Sequence, residues 1–313
     1  MRWWLSFLVG LALSPVALAD PIEVQSRRLF LNPEDPAQKR IGELVFKGGL
    51  ALSSDDDRFG GFSGLSLAAG ELVAVSDKGY WLTARLVEEK DRLVGLTETR
   101  ISAMLDRDGR ALGSKKMSDA EAVRRRHGGF LVSFERRHRI WLYPGDDPHK
   151  SVPRALPAPP GLGQAPRNGG LEALAPLEGG GLLALTEGLE VAGGLRGWRY
   201  DGLSWRPLIY GTTGQFKPTD LVALPGGGFM VLERRYTPLG GPAARLQIIA
   251  AIRPGAPLTG RQIAIITLPL TVDNMEGLAV VPVSGGLAVY LLSDDNFNPL
   301  QRTLLLKFEL KLP

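Results

Sequence analysis

Acidic side chains recur along this chain in pairs. Glu121 with Glu135, Glu172 with Glu187, Asp220 with Glu233, and Glu276 with Asp294 each bracket an apolar stretch interrupted by glycine, and Ser63 with Asp77 holds the same place once more. Carboxylates brought together repel unless water, guanidinium groups or a cation compensates them. Oxygen donors in such numbers suit Ca2+, a hard cation that accepts about six to eight oxygens in flexible geometry. Basic residues follow on the same turns: Lys78 after Asp77, Arg136-Arg137 after Glu135, and Arg234-Arg235 after Glu233. Lys217, Asn274, Asp295, Asn296, Asn298 and Arg302 are the remaining polar anchors. Two readings follow from residue type. Arg and Lys can neutralise the acids in a structural belt of ion pairs, or Ca2+ can do so and leave the cations free for an anionic ligand.

The pairs belong to a repeat. Five segments share an acidic or small leading residue, an apolar pair, a glycine-rich turn, an apolar run and a closing polar residue, beginning at Ser63, Glu121, Glu172, Asp220 and Glu276. The intervals of 58, 51, 48 and 56 residues lie near the four-stranded blade period of propellers, roughly 40 to 50 residues. Each segment reads as a hairpin of the two inner strands, and the continuous runs Leu72 to Val75 and Leu182 to Leu185 suit strands buried on both faces. Pieces such as Trp198 to Tyr200 with Pro207 to Tyr210, and Gln247 to Ile252 with Ile263 to Leu268, supply outer strands. The fold expected is an all-β, single propeller of four-stranded antiparallel blades, with five recognisable repeats and room for a compact sixth. The strand Thr303 to Leu310 is expected to close the ring against an N-terminal strand at Ile41 to Phe46. Antiparallel pairing then puts both members of each acidic pair on one rim of the central channel.

The composition fits a globular domain: 22% charged and 44% hydrophobic residues in a chain of 313 argue against disorder and against a polytopic membrane protein. Residues 1–19 read as a signal peptide, with Met1-Arg2 ahead of an apolar run from Trp3 to Leu13 and a small-x-small site at Ala17-Leu18-Ala19. The propeller is expected to occupy 20–313 as a periplasmic or secreted protein with no membrane span. Removing Arg2 leaves a net charge of 36 minus 33, or +3. The basic runs Arg124 to His127 and Arg136 to Arg139 are short and flanked by Glu121 and Glu135, so nucleic acid is not expected as a partner.

Other chemistries lack their residues. The absence of Cys removes thiolate nucleophiles, disulfides and Cys-ligated zinc. Gly61-Phe62-Ser63-Gly64 does not have the spacing of a nucleophile elbow, and Gly226-Gly227-Gly228 is a hairpin turn without a phosphate loop's Lys. The three histidines, His127, His138 and His149, are expected as exposed turn residues. Asp55-Asp56-Asp57-Arg58-Phe59-Gly60 opens like an EF-hand loop but puts Phe59 where a ligand belongs, and reads as solvated loop. Trp81, Trp141 and Trp198 fall in third strands, where they pack blades together.

The stretches Arg58 to Leu65, Ala74 to Gly79, Ser133 to His138, Asn168 to Leu174, Thr219 to Leu221, Leu232 to Arg235, Asp273 to Leu278 and Ser293 to Phe297 together resemble, in collinear order, the bacterial phytase-like family, also described as "esterase-like activity of phytase". The resemblance implies an exported β-propeller distantly related to calcium-dependent propeller phytases, which hydrolyse phosphate monoesters. For such chemistry, rim topology and residue type, with no phytase residues carried over, make Glu276, Glu121 and Glu172 the candidate catalytic residues and Lys78, Arg136, Arg234 and Lys217 those that hold an anionic substrate. Asp77, Glu135, Glu187, Asp220, Glu233, Asp294 and Asp295 complete the candidate metal set. A carboxylic ester or lactone hydrolase would use the same carboxylates, and a non-catalytic propeller binding a ligand or protein would keep them as a structural belt.

Overall fold

Residues that alternate between apolar and polar every second position, punctuated by glycine turns, can bury themselves only by stacking sheet on sheet. In the computed structural model, which describes residues 19–311 apart from residue 254, five sheets do so. Blade one runs outward through Phe62–Ala68, Glu71–Ser76, Tyr80–Glu89 and Arg92–Ala103. Blade two uses Ala120–Arg126, Gly129–Phe134, Arg139–Pro144 and Arg154–Ala155, and blade three Leu171–Pro176, Leu182–Val191, Gly194–Tyr200 and Trp205–Tyr210. Lys217–Ala223, Phe229–Thr237, Gly241–Ile249 and Arg261–Thr267 form blade four. Each first strand lies against the first strand of the next blade, and that of blade five returns to blade one, so the chain is a five-bladed β-propeller.

Blade five is assembled from both ends of the domain. Met275–Val283, Gly286–Ser293 and Thr303–Lys311 are joined by the N-terminal strand Leu44–Ser53, with Leu310 opposite Leu44 and Thr303 opposite Leu52. The closing strand therefore runs further than the Ile41 to Phe46 expected. Gly48, at φ +127, does not end it: the register slips past Lys47, and the bulge is absorbed within the strand. A sixth blade is not formed, because the remaining N-terminal residues extend existing sheets. Gln25–Leu29 pairs outside blade five, and Asp20–Pro21 caps the outer edge of blade one. The leader assigned to residues 1–19 lies outside the described residues except for Ala19. No helix among the described residues is long and apolar enough to cross a membrane.

The core is divided like the fold: five apolar clusters, each built mainly from the facing sheets of two adjacent blades. Leu72 to Val75 and Leu182 to Leu185 are buried throughout, as strands covered on both faces must be. At about 1.5–3 kcal/mol per fully buried Leu or Val, each blade interface is a substantial store of stability. Trp81, Trp141 and Trp198 sit in third strands and fill these interfaces, Trp81 edge-on to Tyr143 of the next blade at 5.0 Å between ring centroids.

One polar contact crosses the channel. Arg124, on the first strand of blade two, pairs with Asp220 of blade four, and both are buried. Its guanidinium also donates to the carbonyl oxygens of Leu65 in blade one (2.6 Å) and Leu221 in blade four (2.9 Å). Asp220 accepts in turn from the backbone N–H of Leu278 in blade five at 2.7 Å. Burial raises the Asp220 carboxyl to about 6, against the opposing pull of Arg124. Removing one partner strands a buried charge, so Arg124→Ala should cost about 3–5 kcal/mol in urea unfolding, while Arg124→Met with Asp220→Leu should recover most of that loss. A loss below about 1 kcal/mol in the single variant, the range of a surface pair, would mean that the pair does not hold the ring.

Candidate functional site

The rim is built by a backbone irregularity repeated five times. In every blade the first strand carries one residue more than its neighbour, so pairing skips over Ser63, Glu121, Glu172, Thr219 and Glu276. A bulge of this kind re-aims a side chain out of the strand's alternation. Where the second strand reaches the rim, the corresponding positions are Asp77, Glu135, Glu187, Arg234 and Asp294. The N–H groups of Asp77, Glu135, Glu187 and Asp294 donate to the carbonyls of Gly61, Asp119, Gly170 and Asn274 at 2.8, 2.8, 3.2 and 2.9 Å, which fixes strand end to strand start in four blades. Gly61 takes φ +63, and a Cβ there would come within 2.4 Å of the Asp77 carboxylate, so glycine is needed for the acid to enter.

Seven carboxylates thus share one mouth, and among the described residues Arg234 is the one cation at the ten rim positions themselves. Arg234 reaches Glu187 at 3.2 Å and Glu276 at 3.4 Å, and donates to Asn274 Oδ1 at 2.6 Å. Asn274 in turn donates to Glu276 at 2.8 Å. Glu135 accepts from the backbone N–H groups of Gly169 and Gly170, tying blade two to blade three. Asp119, Glu121 and Glu135 each offer an oxygen within 4.8 Å of the others. Lys115 and Arg136 pair with Asp119, and Lys115 also with Asp77. Asp77 Oδ1 is nevertheless buried without a hydrogen-bond donor.

Compensation is incomplete. Burial pushes Glu121, Glu172 and Asp294 well above the carboxylate range, and the charges of neighbouring acids push the same way. Burial also raises Glu276, with Arg234 opposing, and Asp77, with Lys115 opposing. These five groups resist losing their protons because no cation of this chain satisfies them all. The donors are carboxylate oxygens with an orphaned buried lone pair at Asp77, which is the chemistry that a hard divalent cation fits.

The sequence-derived residues divide accordingly. Glu276, Glu121, Glu172, Asp77, Glu135, Glu187 and Asp294 converge; Asp220 and Glu233 do not. The bulge in blade four falls on Thr219, one residue before Asp220, so its rim positions are Thr219 and Arg234. Asp220 occupies the place of Gly64, Ala122, Ala173 and Gly277, small residues where inner strands crowd, and is spent on Arg124. Glu233 is turned into the blade packing, held by Arg245 (2.5 Å), Gln247 (2.5 Å) and Tyr210 (3.0 Å). Asp295 holds loops instead, accepting from the N–H groups of Gly61 (2.9 Å) and Phe297 (3.0 Å) and from the Thr303 hydroxyl (2.8 Å).

Arg136 is committed to Asp119, and Lys78 lies 3.1 Å from the Phe297 ring centroid, over its face. Arg58 engages Asp56 and Asp20; of the loop expected to be solvated from Asp55 to Gly60, Asp55 and Asp57 are exposed, whereas Phe59 and Gly60 are buried. His127 is exposed, but His149 is buried, contrary to expectation: Ser102 and Thr83 of blade one engage its two ring nitrogens at 2.7 and 2.9 Å. Asp119 went unrecognised in the sequence, where it lies two residues before Glu121 and has no acidic counterpart in other repeats.

Beside the acidic mouth, a groove of about 900 Å3 runs between blades four and five, with Lys217, Arg234, Arg235 and Arg302 along it. Arg302 is paired with Asp273 at 3.3 Å, whereas Lys217 and Arg235 have no acidic partner within 4.0 Å among the described residues.

A five-bladed propeller whose channel opens through a ring of under-compensated carboxylates beside a basic groove is the class of protein that fold and site define. The chain belongs to the phytase-like family described as "esterase-like activity of phytase", whose sequence profile matches residues 57–297. No curated protein matches it. Among solved structures it is similar to RS223-β-xylosidase (13% identity over 82% of this chain and 94% of that one, TM-score 0.47). A protein of unknown function from Dyadobacter fermentans is 12% identical over 95% of this chain and 94% of its own, with a TM-score of 0.45. The PQQ-bound aldose sugar dehydrogenase from Streptomyces coelicolor is 13% identical over 92% and 99%, with a TM-score of 0.42.

The raised carboxylates set a pH dependence. A folded acid that keeps its proton to higher pH than the unfolded one contributes stability in full at acidic pH and loses it as pH rises through its raised value. With chelator present, the melting temperature should therefore be higher near pH 5.5 than near pH 8, and millimolar Ca2+ should raise it more at pH 8 than at pH 5.5. Equal melting temperatures in chelator at the two pH values, with no response to Ca2+, would show that the protein's own cations already neutralise the ring.

Proposed function

We propose that this protein is an exported, divalent-cation-dependent hydrolase of phosphate monoesters or related esters, acting at the acidic mouth. The observation that carries the reading is the ring itself: seven carboxylates with only Arg234 and Lys115 paired to them among the described residues, and five of the seven held above their ordinary pKa. Membership of the phytase-like family supports it. Glu121, Glu135, Glu276, Asp77 and Asp294 are the residues that would hold the cation, Ca2+ by preference for an all-oxygen set. Bound there, the ion would supply Lewis-acid polarisation of the ester and acidify a water.

The remaining work falls to side chains of this chain. Lys217 and Arg235 would take the negative charge of the substrate, and Arg234, braced by Glu187 and Asn274, would balance charge developing between groove and ring. Glu172, pushed up by burial and by its acidic neighbours and left outside the cation's ligands, is suited to give a proton to a leaving oxygen.

The test follows phosphate release from phytate and from an aryl phosphate by purified residues 20–313, with Ca2+ and with EDTA. Turnover should require Ca2+ and fall at least about 100-fold in Glu276→Gln, with the melting temperature nearly unchanged. If correctly folded protein releases nothing under any condition, the mouth serves ligand binding, and the same substitution should then move only affinity.

A further inference from the structure

The groove beside the mouth is lined by more than cations. Among the described residues, three of the eight large hydrophobic side chains left exposed lie along it: Tyr236 (74% exposed), Leu268 (57%) and Leu300 (90%). A fourth, Leu239, stands fully exposed at the tip of the hairpin whose arms bring Tyr236 and Pro242 to the groove. They come from three separate segments, the blade-four hairpin, the loop after Arg261–Thr267 and the loop before Thr303–Lys311. Exposed apolar groups scattered singly need no explanation, but several gathered at one polar site mark a surface that expects an apolar partner. At the same groove Arg235 presents a guanidinium with no acidic partner and a buried Nε without an acceptor, supported face-on by Phe216 at 4.6 Å, while Lys217 is exposed.

We infer that the groove takes an amphiphilic anionic ester, its charged head on Lys217 and Arg235 and its alkyl or aryl part along Tyr236, Leu268 and Leu300. Resting on the functional reading above, this narrows the substrate class. A polyanion such as inositol hexakisphosphate offers many charges and no apolar surface, so it would leave the hydrophobic wall in water and find only two uncommitted cations. An ester with one charged group and one apolar group matches both halves. At about 0.8 kcal/mol per buried methylene, an alkyl chain lying on this wall adds affinity that phosphate alone cannot have.

Titration calorimetry with residues 20–313 in chelator, using inorganic phosphate, monomeric n-octyl phosphate and inositol hexakisphosphate, tests the inference without needing turnover. Octyl phosphate should bind at least about ten-fold more tightly than inorganic phosphate, and in Tyr236→Ser/Leu300→Ser that ratio should fall to within about two-fold. Both side chains are exposed, so the double variant should melt where the parent does. Lys217→Ala/Arg235→Ala should weaken both ligands. Octyl phosphate no tighter than phosphate, a ratio unchanged in the serine variant, or inositol hexakisphosphate the tightest of the three would overturn the inference, even if calcium-dependent hydrolysis stands. Tight, wall-dependent octyl phosphate binding without any turnover would support it and sink the hydrolase reading instead. Binding seen only to phosphatidate vesicles and not to monomeric octyl phosphate would make the patch a membrane-surface contact and overturn it.

Discussion

A guanidinium group in the centre of the ring organises this propeller. Hydrophobic packing acts only between neighbouring blades, since each apolar cluster is essentially the property of one interface. Arg124 acts across the channel, joining blade two to Asp220 and Leu221 of blade four and to Leu65 of blade one, while Asp220 reaches blade five. Four of five blades therefore share one hydrogen-bonded set. A buried ion pair contributes less net stability than its contacts suggest, because both charges were desolvated to make it. Its consequence here is positional: only one relative placement of the four inner strands satisfies every donor and acceptor. Glu121 and Glu276 stand on two of those strands, and Asp77, Glu135 and Asp294 are tied by their backbone N–H groups to Gly61, Asp119 and Asn274 at the starts of three of them.

The acidic mouth is the cost of that placement. The bulges aim Glu121, Glu172 and Glu276 into a shared space, and Asp77, Glu135, Glu187 and Asp294 stand where the second strands reach the rim. A purely structural belt would match charge with charge, as Glu233 is matched by Arg245, Gln247 and Tyr210 inside blade four. The ring is not matched in that way. It holds Arg234, Lys115 and Arg136 against seven rim acids and Asp119, and keeps one Asp77 oxygen dry and unpaired. Proteins retain such unfavourable electrostatics chiefly at sites where a ligand relieves them.

Much of this was legible in the sequence, because a blade must repeat its turns and its doubly buried strands, and those leave a period in glycine and in apolar runs. Four of the five leading positions and their strand-end partners were placed correctly on that basis. The fourth slipped by one residue because Asp220, an acid, is the more conspicuous occupant of a column of acids than Thr219, which the bulge selects. Residue type and backbone register disagree there, and only the ladder decides. Asp119 and the environment of His149 were illegible for another reason. Asp119 holds a position that is Gly61, Gly170, Lys217 or Asn274 in the other blades, so no recurring residue type marks it, and the partners of His149 are Thr83 and Ser102 of the neighbouring blade, 66 and 47 residues away. No local pattern encodes a contact between segments so far apart.

The departures from the repeat are as informative as the repeat. Blade four has Thr219 and Arg234 where other blades have mostly acids, Lys217 where they have Gly61, Asp119, Gly170 and Asn274, and Asp220 where they have Gly or Ala. Its second strand runs past the rim, as that of blade three does to Val191, and carries Arg235 and Tyr236 there before ending at Thr237. A ring of equal blades would present equal mouths on all sides and could not orient an asymmetric molecule. Replacing acids by bases in one blade creates a gradient from the carboxylates of blades one to three toward the cations of blade four. An anionic ligand entering from the groove would meet Lys217 and Arg235 first, with Arg234, which already holds Glu276 and Glu187, standing between its charge and those acids. The symmetric fold supplies rigidity and the acids; the one irregular blade supplies direction.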